Sequence, residues 1–162
     1  MPRHPEPADF SPTAGLPALR FPPVQLRARR RGSTTEVWDP LRGLYLVLTP
    51  EEWVRQHLIA YLTASCGVQP LRIVQEYAVP LNGQPQRADV VVVDRAGHPL
   101  LLAECKAPSV AVGPATLDQA VRYNSVLGAR YVVLTNGLTH YCYEMTEGRC
   151  EPLAGFPSLA GR

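Results

Sequence analysis

Residues 87–106, RADVVVVDRAGHPLLLAECK, govern how the rest of the chain is read. Two β-rich runs, RADVVVVD (87–94) and PLLLAECK (99–106), flank the short polar linker RAGH, which predicts an antiparallel hairpin. Side chains alternate across a strand, so Glu104 and Lys106 project from one face and Cys105 from the other. Setting Asp94 opposite Pro99 brings Asp89 opposite Glu104 and Arg87 opposite Lys106, with facing Cβ atoms about 4.5–5.5 Å apart. A slip by two residues keeps these groups on one face. Opposed carboxylates repel, so the pair needs a compensating partner. A divalent cation provides one: magnesium accepts two carboxylates and completes its shell with water, and manganese can substitute. Lys106 beside such a site would orient or deprotonate the attacking water, whose pKa the metal lowers. The spacing D-x(14)-E-x-K occurs by accident in many chains, and its place on a hairpin between two helices is what gives it weight.

The flanking sequence supplies those helices. Thr49-Pro50-Glu51-Glu52 predicts a helix start, with threonine capping, proline at the first position and Glu52 closing a capping box. Apolar residues at helical spacing continue to about Ser65, with Gly67 just beyond as a stop. Glu51 is expected to lean inward as a metal-facing acid, or simply to favour the helix dipole, while Glu52 points away. LRIVQEYAVPL (71–81) reads as a strand before the hairpin, and TLDQAVRYNSVLG (116–128) as a second helix with Gln119 and Tyr123 on one face. RYVVLTNG and HYCYEM add two strands. The expected fold class is α/β: an αβββαβ mixed sheet flanked by helices, preceded by an N-terminal hairpin over TTEVWDPLRGLYLVL. Three regions follow: a proline- and arginine-rich disordered or extended arm (1–33), the domain proper (34–150) and an irregular tail (151–162).

Composition narrows the classes. The hydrophobic share of 46% and charged share of 19% are those of an ordinary α/β domain. No run is long and apolar enough to span a bilayer, and MPRHPEPADF carries prolines and acids where a secretory signal needs an apolar core, so a cytoplasmic location without membrane contact is expected. Cys66, Cys105, Cys142 and Cys150 form no C-x-x-C pair, which argues for free thiols rather than a zinc site. The first 31 residues carry six arginines against Glu6 and Asp9 in a chain of net charge +2, so the body beyond is slightly acidic. Arg27, Arg29, Arg30 and Arg31 are therefore candidate nucleic-acid contacts. Lys106 is the sole lysine among 16 basic residues, which suggests a position that needs a compact ammonium rather than a guanidinium.

Taken together, DPLRGLYLVLTPEEWVRQ, RADVVVVD, AECKAP, DQAVRYN and LTNG resemble the PD-(D/E)XK nuclease superfamily, and more closely the N-terminal domain of type I restriction enzyme R subunits. The resemblance implies a restriction-endonuclease-like core. It assigns Asp89 to the motif aspartate, Glu104-Cys105-Lys106 to the E-x-K element, Gln119 and Tyr123 to a Q-x-x-x-Y element, and Glu51 to an acid at the start of the first helix. Alanine at position 88 replaces the proline of the motif's name. No G-x-x-x-x-G-K-[ST] loop occurs in these residues, so translocation would need a separate motor.

The resulting expectation is a Mg²⁺-dependent deoxyribonuclease. Asp89, Glu104, Lys106 and Gln119 are its catalytic residues, and Glu51, Asp89, Glu104 and the Cys105 carbonyl hold metal. Arg87, Tyr123 and the four arginines of the arm contact nucleic acid. DNA is the expected partner, with a second copy for double-strand cleavage and separate motor or specificity subunits as further ones. The competing reading is a catalytically silent nucleic-acid- or protein-binding module on the same fold. A third is an enzyme of RNA or branched DNA.

Overall fold

A computed structural model describes residues 15–162, and two sheets and two long helices organise them. The first sheet is three-stranded and antiparallel, in the order β1 (Ala28–Arg31), β2 (Thr34–Asp39), β3 (Leu44–Val47). The expected two-stranded hairpin has therefore gained a strand from the arginine run. Arg29 stacks over Tyr45 at 3.8 Å from the ring centroid and donates to Glu36 at 2.6 Å, nonlocal partners that turn an apparent tail into an edge strand. Residues 1–14 of the expected arm lie outside the described residues.

The chain then enters α1 (Pro50–Ala64), which starts as expected: the Glu52 N–H donates to Thr49 Oγ1 at 3.0 Å. A short 3-10 turn (Pro70–Arg72) leads into β4 (Ile73–Leu81), β5 (Gln84–Val93) and β6 (Pro99–Cys105). Helix α2 (Pro114–Leu127) ends on left-handed Gly128 and returns the chain to β7 (Tyr131–Thr135), which lies parallel to β6. Then β8 (His140–Thr146) and β9 (Arg149–Leu153) complete a six-stranded sheet in sequence order. All pairings in it except β6–β7 are antiparallel, so the expected mixed sheet with its crossover helix is present. The expected irregular tail differs: residues up to Leu153 form the outermost strand, and Leu159 is wholly buried in the core.

Each face of this sheet carries one helix and one core. On the α1 side, Val54, Leu58, Ile59 and Leu62 pack against Ile73, Val90, Val92, Leu101, Ala103, Cys105 and Val133. On the α2 side, Ala120 and Tyr123 pack against Val79, Ala88, Val91, Leu102, Val132 and Leu134. The segment before β1 straps across the α1 side. Arg20 N–H donates to Gly137 O at 2.7 Å, and the Trp53 indole donates to Pro17 O at 3.0 Å. Gly137 has φ 82°, and a Cβ there would come within 2.7 Å of Leu19, so the strap and the glycine require each other.

Candidate active site

The β5–β6 hairpin carries the candidate acids. Val90, Val91 and Val92 face Ala103, Leu102 and Leu101, the register read from the linker length. Nearer the turn the register shifts, and Val93 rather than Asp94 faces Pro99. The physical reason is local: Asp94 Oδ1 accepts from the Ala96 and His98 N–H groups, which pulls that residue out of the ladder and into the turn.

At the other end the ladder stops at Val90–Ala103, and the Asp89 side chain takes over. Asp89 Oδ2 accepts the Cys105 N–H at 2.7 Å, while Glu104 Oε1 lies 3.4 Å from the Asp89 N–H. The two carboxyls lie close enough that each shifts the proton affinity of the other. The β5–β6 ladder ends at Val90–Ala103, so the expected ladder partnership of Arg87 with Lys106 does not form; Arg87 faces Ala78 on β4 and is exposed. Lys106 follows β6 directly, half-buried, its N–H bonded to Thr135 O at 2.9 Å.

The electrostatics are those of acids left to one another. Burial, with the Asp89 charge next, pushes the Glu104 carboxyl up to about 9. Burial likewise raises Asp89, against the opposing Cys105 N–H bond. The other buried acids of the described residues, Glu36, Asp39 and Glu52, are each ion-paired with arginine; Glu104 is not. Glu51 is exposed at its surface, yet partial burial and the Asp89 charge raise its carboxyl pKa while Lys106 lowers it. Glu51, Asp89, Glu104 and Lys106 thus act on one another electrostatically. Among the described residues no three His, Cys, Asp or Glu side chains close into a ready metal cage. Asp89 and Glu104 instead present two adjacent carboxyls, the donor type that a hard cation keeping its own waters takes.

The first helix reverses one expectation. Glu52, expected to point away, is buried at 4% exposure, because Arg55, Gln56 and Arg42 converge on its carboxylate. Arg55 also pairs with Glu76, the residue of β4 nearest the Asp89 level. Neither residue was legible from motif spacing. The signal that could have drawn notice is Glu76 as a lone acid inside a β-rich run.

On α2, Gln119 Nε2 donates to the Tyr123 hydroxyl at 2.9 Å, which donates to Gln86 Oε1 at 3.1 Å, three residues before Asp89 on β5. Tyr123 is buried at 5% exposure and its hydroxyl is hydrogen-bonded on both sides, so it braces β5. Arg27 and Arg29 lie over the Trp38 and Tyr45 rings of the small sheet, and Arg31 is 77% exposed beside Glu36 at 3.9 Å. No helix among the described residues is long and apolar enough to cross a membrane.

Comparison with known proteins agrees with this architecture. Residues 50–157 match the family described as type I restriction enzyme R protein N terminus. A solved fragment assigned as an HsdR subunit of a type I restriction enzyme from Vibrio vulnificus YJ016 shares the fold, with a TM-score of 0.52 and 24% identity. The likeness covers 68% of this chain and 24% of that one. No curated protein matches.

Proposed function

Because the chain belongs to the family of type I restriction enzyme R protein N-terminal domains, we propose that it is a metal-dependent nuclease domain of the PD-(D/E)XK kind, hydrolysing phosphodiester bonds in DNA. The observation that carries this reading is the Asp89–Glu104 pair on adjacent strands, with Glu104 buried and ion-paired to no arginine, Asp89 half-buried beside it, and Asp89 Oδ2 fixed by the Cys105 N–H. A fold gains nothing from such a pair, whereas a site for a cation does.

Asp89, Glu104 and the Cys105 carbonyl would hold Mg²⁺ or Mn²⁺, with Glu51 facing the same ion. When bound, the ion supplies Lewis acidity to a phosphoryl oxygen and lowers the pKa of its water. Lys106 orients the attacking water or takes its proton. The proton that burial favours on Glu104 would have to leave before both carboxylates could serve as ligands. Gln119 is held by Tyr123 at the edge of β5 and supports the backbone that carries Asp89. Arg87 and the arginines of β1 contribute sequence-independent attraction to the phosphate backbone. A second copy would be needed for simultaneous double-strand cleavage, and the motor and specificity functions would reside elsewhere in an assembly.

The test compares the native chain with Lys106→Ala on supercoiled plasmid in Mg²⁺ or Mn²⁺. Nicking that needs the metal and falls by roughly 10²-fold or more in the variant is the expected result. Absence of cleavage on DNA, RNA and branched substrates alike, together with no calorimetric Mn²⁺ binding, would replace this reading with that of a silent binding module.

A further inference from the structure

The two central strands exchange faces where the site lies. In β4, Ile73 belongs to the α1-side core and Val79 to the α2-side core, although six residues apart they should share a face. In β5, Val90 and Val92 belong to the α1 side and Ala88 to the α2 side, again against alternation. Pairing keeps one register on both sides of the break: Gln75 faces Val90 and Tyr77 faces Ala88. The residues between, Glu76 and Asp89, are where each strand turns over.

Glu76 has φ 51°, in the left-handed region. Among the described residues the other two non-glycine positions with such backbone, Asn82 and Glu147, precede Gly83 and Gly148 in hairpin turns, where it is ordinary. Glu76 lies inside a strand, where a left-handed non-glycine residue is costly and persists only when its surroundings impose it. Its carboxyl is taken by Arg55, whose guanidinium also holds Glu52 on α1. The Glu76 charge still raises the Asp89 carboxyl; all four variants below remove that charge and differ among themselves in the backbone they tolerate.

We propose that Glu76 is a positioning residue: its left-handed backbone turns β4 and β5 over together and thereby delivers the Asp89 carboxylate to β6. The face exchange ends the β5–β6 ladder at Val90, so Cys105 N–H has no carbonyl partner on β5. Asp89 Oδ2 fills that position, which fixes the carboxylate beside Glu104. Its importance for catalysis rests on the nuclease reading; its effect on Asp89 does not.

The experiment reads the Cys105 amide directly, by hydrogen exchange in the full chain, across Glu76→Gly, Glu76→Asn, Glu76→Ala and Glu76→Val, with folding checked by circular dichroism. Glycine and asparagine tolerate the left-handed region, and a β-branched valine does not. Protection should stay within about threefold of native in the Gly and Asn variants and fall about tenfold or more in Val, with Ala between. Mn²⁺ affinity and kcat for plasmid cleavage should follow the same order, with KM for DNA unchanged. Equal loss in all four variants would mean that the carboxylate acts itself, and full protection in all four would mean that the backbone is irrelevant; either overturns the proposal. If the Val variant does not fold, the Gly and Ala variants provide the same contrast. The expected protection order without cleavage or Mn²⁺ binding by the native chain would sink the nuclease reading while supporting the placement of Asp89.

Discussion

Asp39 and Glu104 both sit near the end of a β-strand and both are almost wholly removed from water, at 0% and 3% exposure. Their proton affinities nevertheless move in opposite directions. Burial alone raises Asp39, but hydrogen bonds from the Arg42 side chain and N–H and from Gln75 outweigh it, and its pKa ends below the ordinary value. Asp39 also accepts from the Leu41 N–H and from Gln56, which ties the small sheet to α1 and β4. For Glu104, burial and the Asp89 charge outweigh the Asp89 N–H and the Lys106 charge, and its pKa rises. The contrast separates two uses of a buried acid. One is satisfied by the fold and serves it; the other is left unsatisfied by the fold, and the remaining affinity is available to a ligand.

The largest effect that could break this contrast lies on the Asp39 side. Asp39→Ala should destabilise the chain by about 3–5 kcal/mol in urea unfolding, because it removes a wholly buried acceptor shared by the half-buried Arg42, by Gln75 and by Gln56. A loss below about 1 kcal/mol would mean that Asp39 is no more structural than a surface acid.

Glu104 should show itself through pH. Its carboxyl has an ordinary value of 4.5 and a folded value of about 9, so between these the unfolded chain has released a proton that the folded chain keeps. Metal-free stability should therefore fall as pH rises through that window, by up to about 1.4 kcal/mol per pH unit. Glu104→Gln should flatten the slope. Divalent cation should restore stability more at pH 8 than at pH 5.5, reaching about 2.7 kcal/mol at a hundredfold excess over Kd. Asp39 has the opposite sign: its contribution is present above its ordinary 3.8 and is lost as pH falls through its lowered folded value. Thermal melting over pH 3–9 with and without Mn²⁺ measures both, and a Glu104→Gln curve parallel to the native one would remove the distinction.

The smallest effect is at the arginine strand. Arg29→Ala and Arg31→Ala should each cost about 1 kcal/mol of stability or less, since both side chains are substantially exposed. Each should lower the slope of log Kobs against log salt for DNA binding by about 1. An unchanged slope would assign these arginines to the sheet alone, through Glu36 and Tyr45.

The comparison also explains what could be read in advance. Strand alternation and linker length placed Asp89 by Glu104, because pairing through a short turn is local and nearly forced. Capping residues located the first helix for the same reason, and helical spacing located the second, which begins at Pro114 rather than at position 116. What escaped depended on contacts distant in sequence. The arginine run becomes a strand only once Glu36 and Tyr45 are beside it, and Glu52 turns inward only because Arg42 and Gln56 meet it there. A capping-box pattern says nothing of either. Glu76 was hidden for a further reason: glutamate carries no preference for left-handed backbone, so its conformation is imposed by the fold and leaves no local trace.

Lys106 carries a consequence of a different kind. It is the one lysine in these 162 residues, so apart from the α-amine it is the one place where an amine-directed reagent can attach. Isotopic or acyl labelling of a single nitrogen would then report on the candidate site without any substitution. The rate of acylation measured with and without divalent cation follows the accessibility and protonation of that nitrogen directly. An arginine-for-lysine composition has left the chain with a built-in spectroscopic address.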